Sequence, residues 1–235
     1  MQLDEPIVLE HVEIRPGIYH VTSDSAFDLA MTFLKTQEYY ESDNPNVRGK
    51  KFDLLEYMRW YTKKSQRTSF SYASDWGGFN VPSGMIARAI YPLKDDANIY
   101  DKAMAELAEE IAQKHGVFYL IGTMNNNSQI AAMLDQRSSL YDGGVLNHEM
   151  AHAFYYIKED YKNAVDEIIA SMSDVTKKRI YKELEKLGYA EHVWNDELQA
   201  YMVAGIEELN GLISVKAVQK KFRKIFNNTI IGGKP

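Results

Sequence analysis

The stretch Val145-Leu146-Asn147-His148-Glu149-Met150-Ala151-His152-Ala153-Phe154 decides how this chain is read. No proline or glycine interrupts it, and its flanks are apolar or uncharged. On a helix, side chains four residues apart lie one above the other. His148 and His152 therefore share a face, and both imidazoles can reach one ion. Glu149 is turned about 100° around the axis from His148. It need not ligate the ion, but it can lie beside a water bound there. Zinc lowers the pKa of such a water to about 7, and a nearby carboxylate can take its proton. That chemistry is the physical reason for the His-Glu-x-x-His spacing. Gly143-Gly144 stands just before the stretch and lets the chain turn into the helix. The competing reading is a pair of satisfied core histidines on an ordinary helix.

A hydrolytic zinc site takes three protein ligands and leaves a fourth position for water. The chain has no cysteine, so the third ligand must be His, Asp or Glu. The metzincin pattern would need glycine at position 155 and histidine at 158; Tyr155 and Lys158 exclude it. The other source is a carboxylate from a later helix. Trp194-Asn195-Asp196-Glu197-Leu198-Gln199-Ala200-Tyr201-Met202 is the best candidate segment. Asn195 or Asp196 can cap a new helix there. Leu198, Tyr201, Met202 and Leu209 give it an apolar face, and Glu197 lies at the edge of that face. Glu197 is the first choice for the third ligand; Asp196 and Glu191 are alternatives.

Taken together, His148, Glu149, His152 and Glu197 resemble the zinc-and-base set of gluzincin metallopeptidases, the thermolysin-like branch of the zincins. The likeness is local, covering about ten residues around the His-Glu-x-x-His motif and about seven around Glu197. It implies one Zn2+ held by His148, His152 and Glu197, with Glu149 as general base and then general acid. It implies a zincin-like fold with the metal helix between two lobes. It also implies an edge strand before the motif, along which an extended substrate pairs; Val117–Thr123 is the candidate. One departure stands out. The Asn-Glu-x-x-x-Asp arrangement common around the third ligand is unmatched, since Tyr201 stands four residues after Glu197.

A peptidase also needs a donor for the oxyanion of its tetrahedral intermediate. Tyr201, one turn beyond Glu197, and His192, just before that helix, are the candidates. Each has a plainer role available, Tyr201 in the core and His192 on a surface loop. Carboxylates normally orient zinc-bound histidines, and Asp166, Glu167 and Asp174 are available for that task.

Around this site the chain is ordinary. Its 235 residues, 45% hydrophobic and 26% charged, can bury a substantial core. A net charge of −6 argues against a dedicated nucleic-acid binder. No apolar run approaches a membrane span. The acidic N-terminus lacks a secretory core, so the chain reads as cytoplasmic, although a protein exported by another route would look the same.

Ile7–Ile14 reads as a half-buried strand, followed by a Pro16-Gly17 turn. Thr22 or Ser23 is expected to cap a helix carrying Phe27, Ala30, Met31 and Leu34. Phe52–Tyr61 reads as a second helix, Ser69–Tyr72 as a short strand, Asp75–Gly84 as an aromatic loop, and Met85–Leu93 as another strand. Asn98–His115 is the clearest amphipathic helix, with Gly116 at its cap. Val117–Gly122 reads as a buried strand broken by Asn125–Ser128. From Tyr141 onward the pattern is helix and loop, ending in a basic helix whose Lys216, Lys220, Lys221, Arg223 and Lys224 form a solvated face.

The expected fold is α+β, a single domain with a mixed lobe over 1–140 and a helical lobe over 141–235. The expected function is a zinc-dependent hydrolase, a metallopeptidase acting on a peptide or protein. The alternatives are hydrolysis of a non-peptide amide or ester, and a catalytically silent zincin-like binding module. The sequence sets no oligomeric state.

Overall fold

The computed structural model describes residues 6–123, 144–205 and 215–232. The chain is α+β, with a four-stranded sheet near the N-terminus and a largely helical remainder. It divides into two compact units, Met1–Asn125 and Asn126–Pro235.

The first unit is built on a sheet in the order β1-β2-β4-β3. Strand β1 (Glu10–Arg15) turns at Gly17 into β2 (Ile18–Thr22), which it pairs with antiparallel. Strand β4 (Tyr119–Thr123) runs parallel to β2, and β3 (Gly78–Pro82) runs antiparallel to β4. The expected Val117–Thr123 strand therefore exists, but it is interior rather than an edge. The edges among the described residues are β1 and β3. The reason is a returning segment: β3 comes from the stretch expected to be a loop, and its backbone fills the open side of β4.

Helix α1 (Ala26–Glu41) covers one face of this sheet. Its cap is Ser25, whose hydroxyl accepts from the Asp28 backbone N–H, and not Thr22 or Ser23. Thr22 ends β2 instead, and Ser23 donates to the Val8 carbonyl. Ala30, Met31 and Leu34 are buried as their spacing requires, whereas Phe27 is exposed. Phe33 stacks on Phe79 and lies against Gly122. A Cβ at Gly122 would stand 2.7 Å from the Phe33 ring, so only glycine lets helix and strand approach this closely.

Helix α2 (Leu54–Lys64) begins at the Asp53 cap. Next come the helical turn α3 (Tyr72–Asp75) and, after β3, α4 (Ser83–Ala89) with a 3-10 turn over Tyr91–Asp96. The strand expected at Met85–Leu93 is thus helical, and of the strand expected at Ser69–Tyr72 only Tyr72 enters a helix, the three residues before it being irregular. Tyr72, Ile86 and Ile90 are buried in the core that α1 helps to build, and tertiary packing outweighs local strand preference.

Helix α5 (Ile99–Ala112) matches expectation. Asn98 and Asp101 form a capping box at its start, and it ends at Gln113 rather than Gly116.

The second unit contains α6 (Val145–Ile157), α7 (Glu159–Ser171), α8 (Asp174–Leu187), a 3-10 turn (Glu191–Val193), α9 (Trp194–Ala204) and α10 (Lys216–Ile230). Helix α9 packs on α6, α8 and α10, and α7 packs on α6 and α10. Phe154 of α6 links them, 5.6 Å ring to ring from both Tyr161 and Phe226. On α10, Phe222 and Phe226 are buried while Lys216, Lys220, Lys221, Arg223 and Lys224 are exposed, the solvated face expected of them. Asn125–Ser128, Gly143 and Leu209 lie outside the described residues. No helix among the described residues is long and apolar enough to cross a membrane.

Candidate metal centre

Helix α6 starts at Gly144, whose φ of 136° is in a region that favours glycine. The chain turns there, and the His148 N–H bonds back to the Gly144 carbonyl. Two turns of uninterrupted helix then place His148 above His152, with their Nε2 atoms 3.1 Å apart. Both rings face Glu197, in the first turn of α9. One Glu197 oxygen lies 3.5 Å from Nε2 of His148, and the other lies 3.6 Å from Nε2 of His152.

These separations suit a metal ion. Bonds of about 2.0–2.1 Å in tetrahedral geometry put neighbouring ligand atoms roughly 3.3–3.4 Å apart. The observed distances straddle that value. Glu197 and His152 are each 1% exposed, and Oε2 of Glu197 accepts no hydrogen bond among the described residues. A buried carboxylate oxygen left so is costly unless a cation completes its environment. The nitrogen–nitrogen–oxygen donor set is one that zinc accepts. His148, His152 and Glu197 could thus hold a metal ion, and no other group of three or more such residues converges among the described residues.

The surrounding charges shape His152. Burial opposes charging its ring, yet Asp196, Glu197 and Glu149 hold its pKa well above the ordinary imidazole range. Asp196 contributes from the other side of the ring. Its Oδ1 stands 2.8 Å from Nδ1 of His152, a close ion-pair contact set off the axis of a straight hydrogen bond. Asp196 was an alternative third ligand from the sequence; it addresses the ring nitrogen that points away from the cluster. Neither Asp196 nor Asn195 caps α9, which begins one residue earlier, after Val193, with no side-chain cap.

The carboxylates expected to orient the histidines do other work. Asp166 accepts from the Tyr155 hydroxyl and from Lys162. Asp174 pairs with Lys177 at the start of α8, and Glu167 is exposed. Glu149 is buried on α6, close enough to act on His152 electrostatically.

Tyr201 is brought to the cluster. Its ring meets His148 edge to face with centroids 4.7 Å apart, and its hydroxyl lies 3.1 Å from that of Tyr189. His192 and Glu191 sit exposed on the 3-10 turn before α9 and are not among the converging ligands. Tyr189, Gln199 and Tyr161 escaped the sequence reading. Gln199 carried the one available signal, an uncharged amide inside an otherwise apolar run, where it is fully buried.

Comparison with protein-family models, curated proteins and solved structures returned no match. The functional reading therefore rests on this chain's own residues.

Proposed function

We propose that this protein is a zinc-dependent hydrolase, a gluzincin-like metallopeptidase acting on a peptide or protein. One observation carries the reading: two imidazoles from one helix and a buried carboxylate from another close on a common point, with Glu149 on the motif helix beside them. His148, His152 and Glu197 would hold the ion. Zinc there would supply Lewis acidity and a water acidic enough to ionise near neutral pH.

The chain's own residues do the rest. Glu149 takes a proton from the attacking water on its carboxylate and hands it to the leaving amine, so one group serves as base and then acid. Asp196 favours the proton on Nδ1 of His152, which leaves the Nε2 lone pair aimed at Glu197 and His148. Tyr201 is the donor for the developing oxyanion. The Tyr189 and Tyr201 hydroxyls lie 3.1 Å apart, and a Tyr189 proton placed in that contact would strengthen the donation.

The test is elemental analysis of purified wild type, His148→Ala and Glu197→Ala, together with peptide-library turnover by wild type and Glu149→Gln. Stoichiometric zinc in wild type that is lost in both ligand variants supports the reading. So does peptide cleavage that disappears in Glu149→Gln. Zinc retained in Glu197→Ala would move the third ligand elsewhere, and cleavage confined to non-peptide esters or amides would change the substrate class.

A further inference from the structure

A line of buried polar groups runs through three helices of the second unit and ends at the metal centre. Tyr161 on α7 donates its hydroxyl to Oε1 of Gln199 on α9 at 2.8 Å. Nε2 of Gln199 donates to Oδ1 of Asp196, one turn earlier on the same helix, at 3.0 Å. That same Oδ1 faces Nδ1 of His152 on α6. Tyr161 and Gln199 are both wholly buried.

The polarity of this line is forced. An ionised carboxylate only accepts, so the amide of Gln199 must turn its N–H toward Asp196. Its carbonyl then needs a donor inside the core, and the Tyr161 hydroxyl has one proton to give. Each member fixes the next, and the last fixed group is the carboxylate that chooses which nitrogen of His152 carries the proton.

We propose that Gln199 and Tyr161 are positioning residues for the metal centre, a brace that holds Asp196 against His152 and keeps Nε2 of that ring available as a ligand. The inference rests on the metal-site reading above and deepens it. The brace acts through Asp196 and touches neither ion nor substrate.

The experiment measures zinc affinity by competition with a chromophoric chelator. It uses wild type, Asp196→Ala, Gln199→Met, Tyr161→Phe and the Asp196→Ala/Gln199→Met double variant, with His148→Ala as the control on the metal site. The chelator-treated melting temperature reports folding separately. Removing a carboxylate that orients a metal-bound histidine costs about 10–100-fold in affinity, and that is the loss expected for Asp196→Ala. Gln199→Met is expected to lose about tenfold and Tyr161→Phe roughly threefold, since each only loosens Asp196.

The double variant should bind no more weakly than Asp196→Ala alone, because the amide has nothing left to hold. The visible spectrum of the Co2+-loaded protein should change in Gln199→Met and stay at the Asp196→Ala form in the double variant. Wild-type zinc affinity in Gln199→Met, or a full tenfold loss added on top of Asp196→Ala, overturns the brace and leaves the metal site standing. If Gln199→Met does not fold, Tyr161→Phe decides, since it keeps the ring against Phe154; unchanged affinity there overturns the proposal. A wild type that binds no zinc, or a His148→Ala variant that binds it as wild type does, overturns the metal site and the brace with it.

Discussion

Two histidines in this chain are equally hidden, each 1% exposed, and their surroundings drive them in opposite directions. His20, on β2 of the sheet unit, bonds through Nε2 to the Thr123 hydroxyl at 2.6 Å. Among the described residues no carboxylate lowers the cost of its charge, and burial pushes its pKa down to about 4. His152, in the helical unit, has Asp196 on one side and Glu197 on the other, and they hold its pKa well above the ordinary value. Burial by itself makes a histidine neutral and structural. Burial among carboxylates makes a place for positive charge, which a proton or a metal ion can fill. The sheet unit and the helical unit differ in this way, and each difference can be tested.

The largest expected effect is catalytic. Glu149→Gln should cut kcat/KM by about 10²–10⁴-fold, roughly 3–5 kcal/mol in the barrier, with zinc content unchanged by elemental analysis. A fully active variant would remove Glu149 from the reaction.

His20 should show itself in acid. Its folded pKa lies below the ordinary value of about 6.5, so protonation favours the unfolded chain. The neutral ring contributes nothing unfavourable above about pH 6.5, and stability falls as the pH drops from there toward 4, by about 3 kcal/mol. Denaturant midpoints of wild type and His20→Gln at pH 7 and pH 4 measure this. The variant should lose less on acidification; equal losses would mean that His20 is not held neutral.

Zinc sharpens the contrast further. At a hundredfold excess over Kd it should stabilise the protein by about 2.7 kcal/mol. Hydrogen exchange should slow in α6 and α9 and stay unchanged in β2 and β4. Slowing spread evenly over both units would break the comparison.

Two smaller effects belong to the sheet unit alone. Gly122→Ala drives a methyl group into the Phe33 ring and should cost about 1–3 kcal/mol in urea denaturation. Asn98→Ala removes the capping box of α5 and should cost about 1 kcal/mol. Neither should alter zinc affinity in the chelator competition.

The helices that carry strong local signals were legible in the sequence. α5 has a cap and one clean apolar face, and α6 has an uninterrupted run with its histidines in register. β4 was legible as an apolar run, but its place inside the sheet was not, because pairing order depends on where distant β3 returns. The stretch from Asp75 to Leu93 misled because glycines and aromatics there suit a loop, a strand or a short helix equally; contact with α1 decides among them. At the site, spacing within α6 was enough to pair His148 with His152. Asp196 looked like a rival to Glu197 because the two are adjacent in sequence. Only the docking of α9 on α6 separates their roles. Tyr189, from the connection before α9, and Tyr161, from α7, meet residues of α9 far along the chain, and apart from the uncharged amide of Gln199 the sequence carries no sign of those contacts.

Neighbouring residues Asp196 and Glu197 attend opposite edges of a single imidazole. The connection between α8 and α9 therefore has to hold α9 in its rotational setting, and the same short connection carries Tyr189, whose hydroxyl lies 3.1 Å from that of Tyr201. A one-residue slip in that setting would swing the helix by about 100° and withdraw both carboxylates from His152 together.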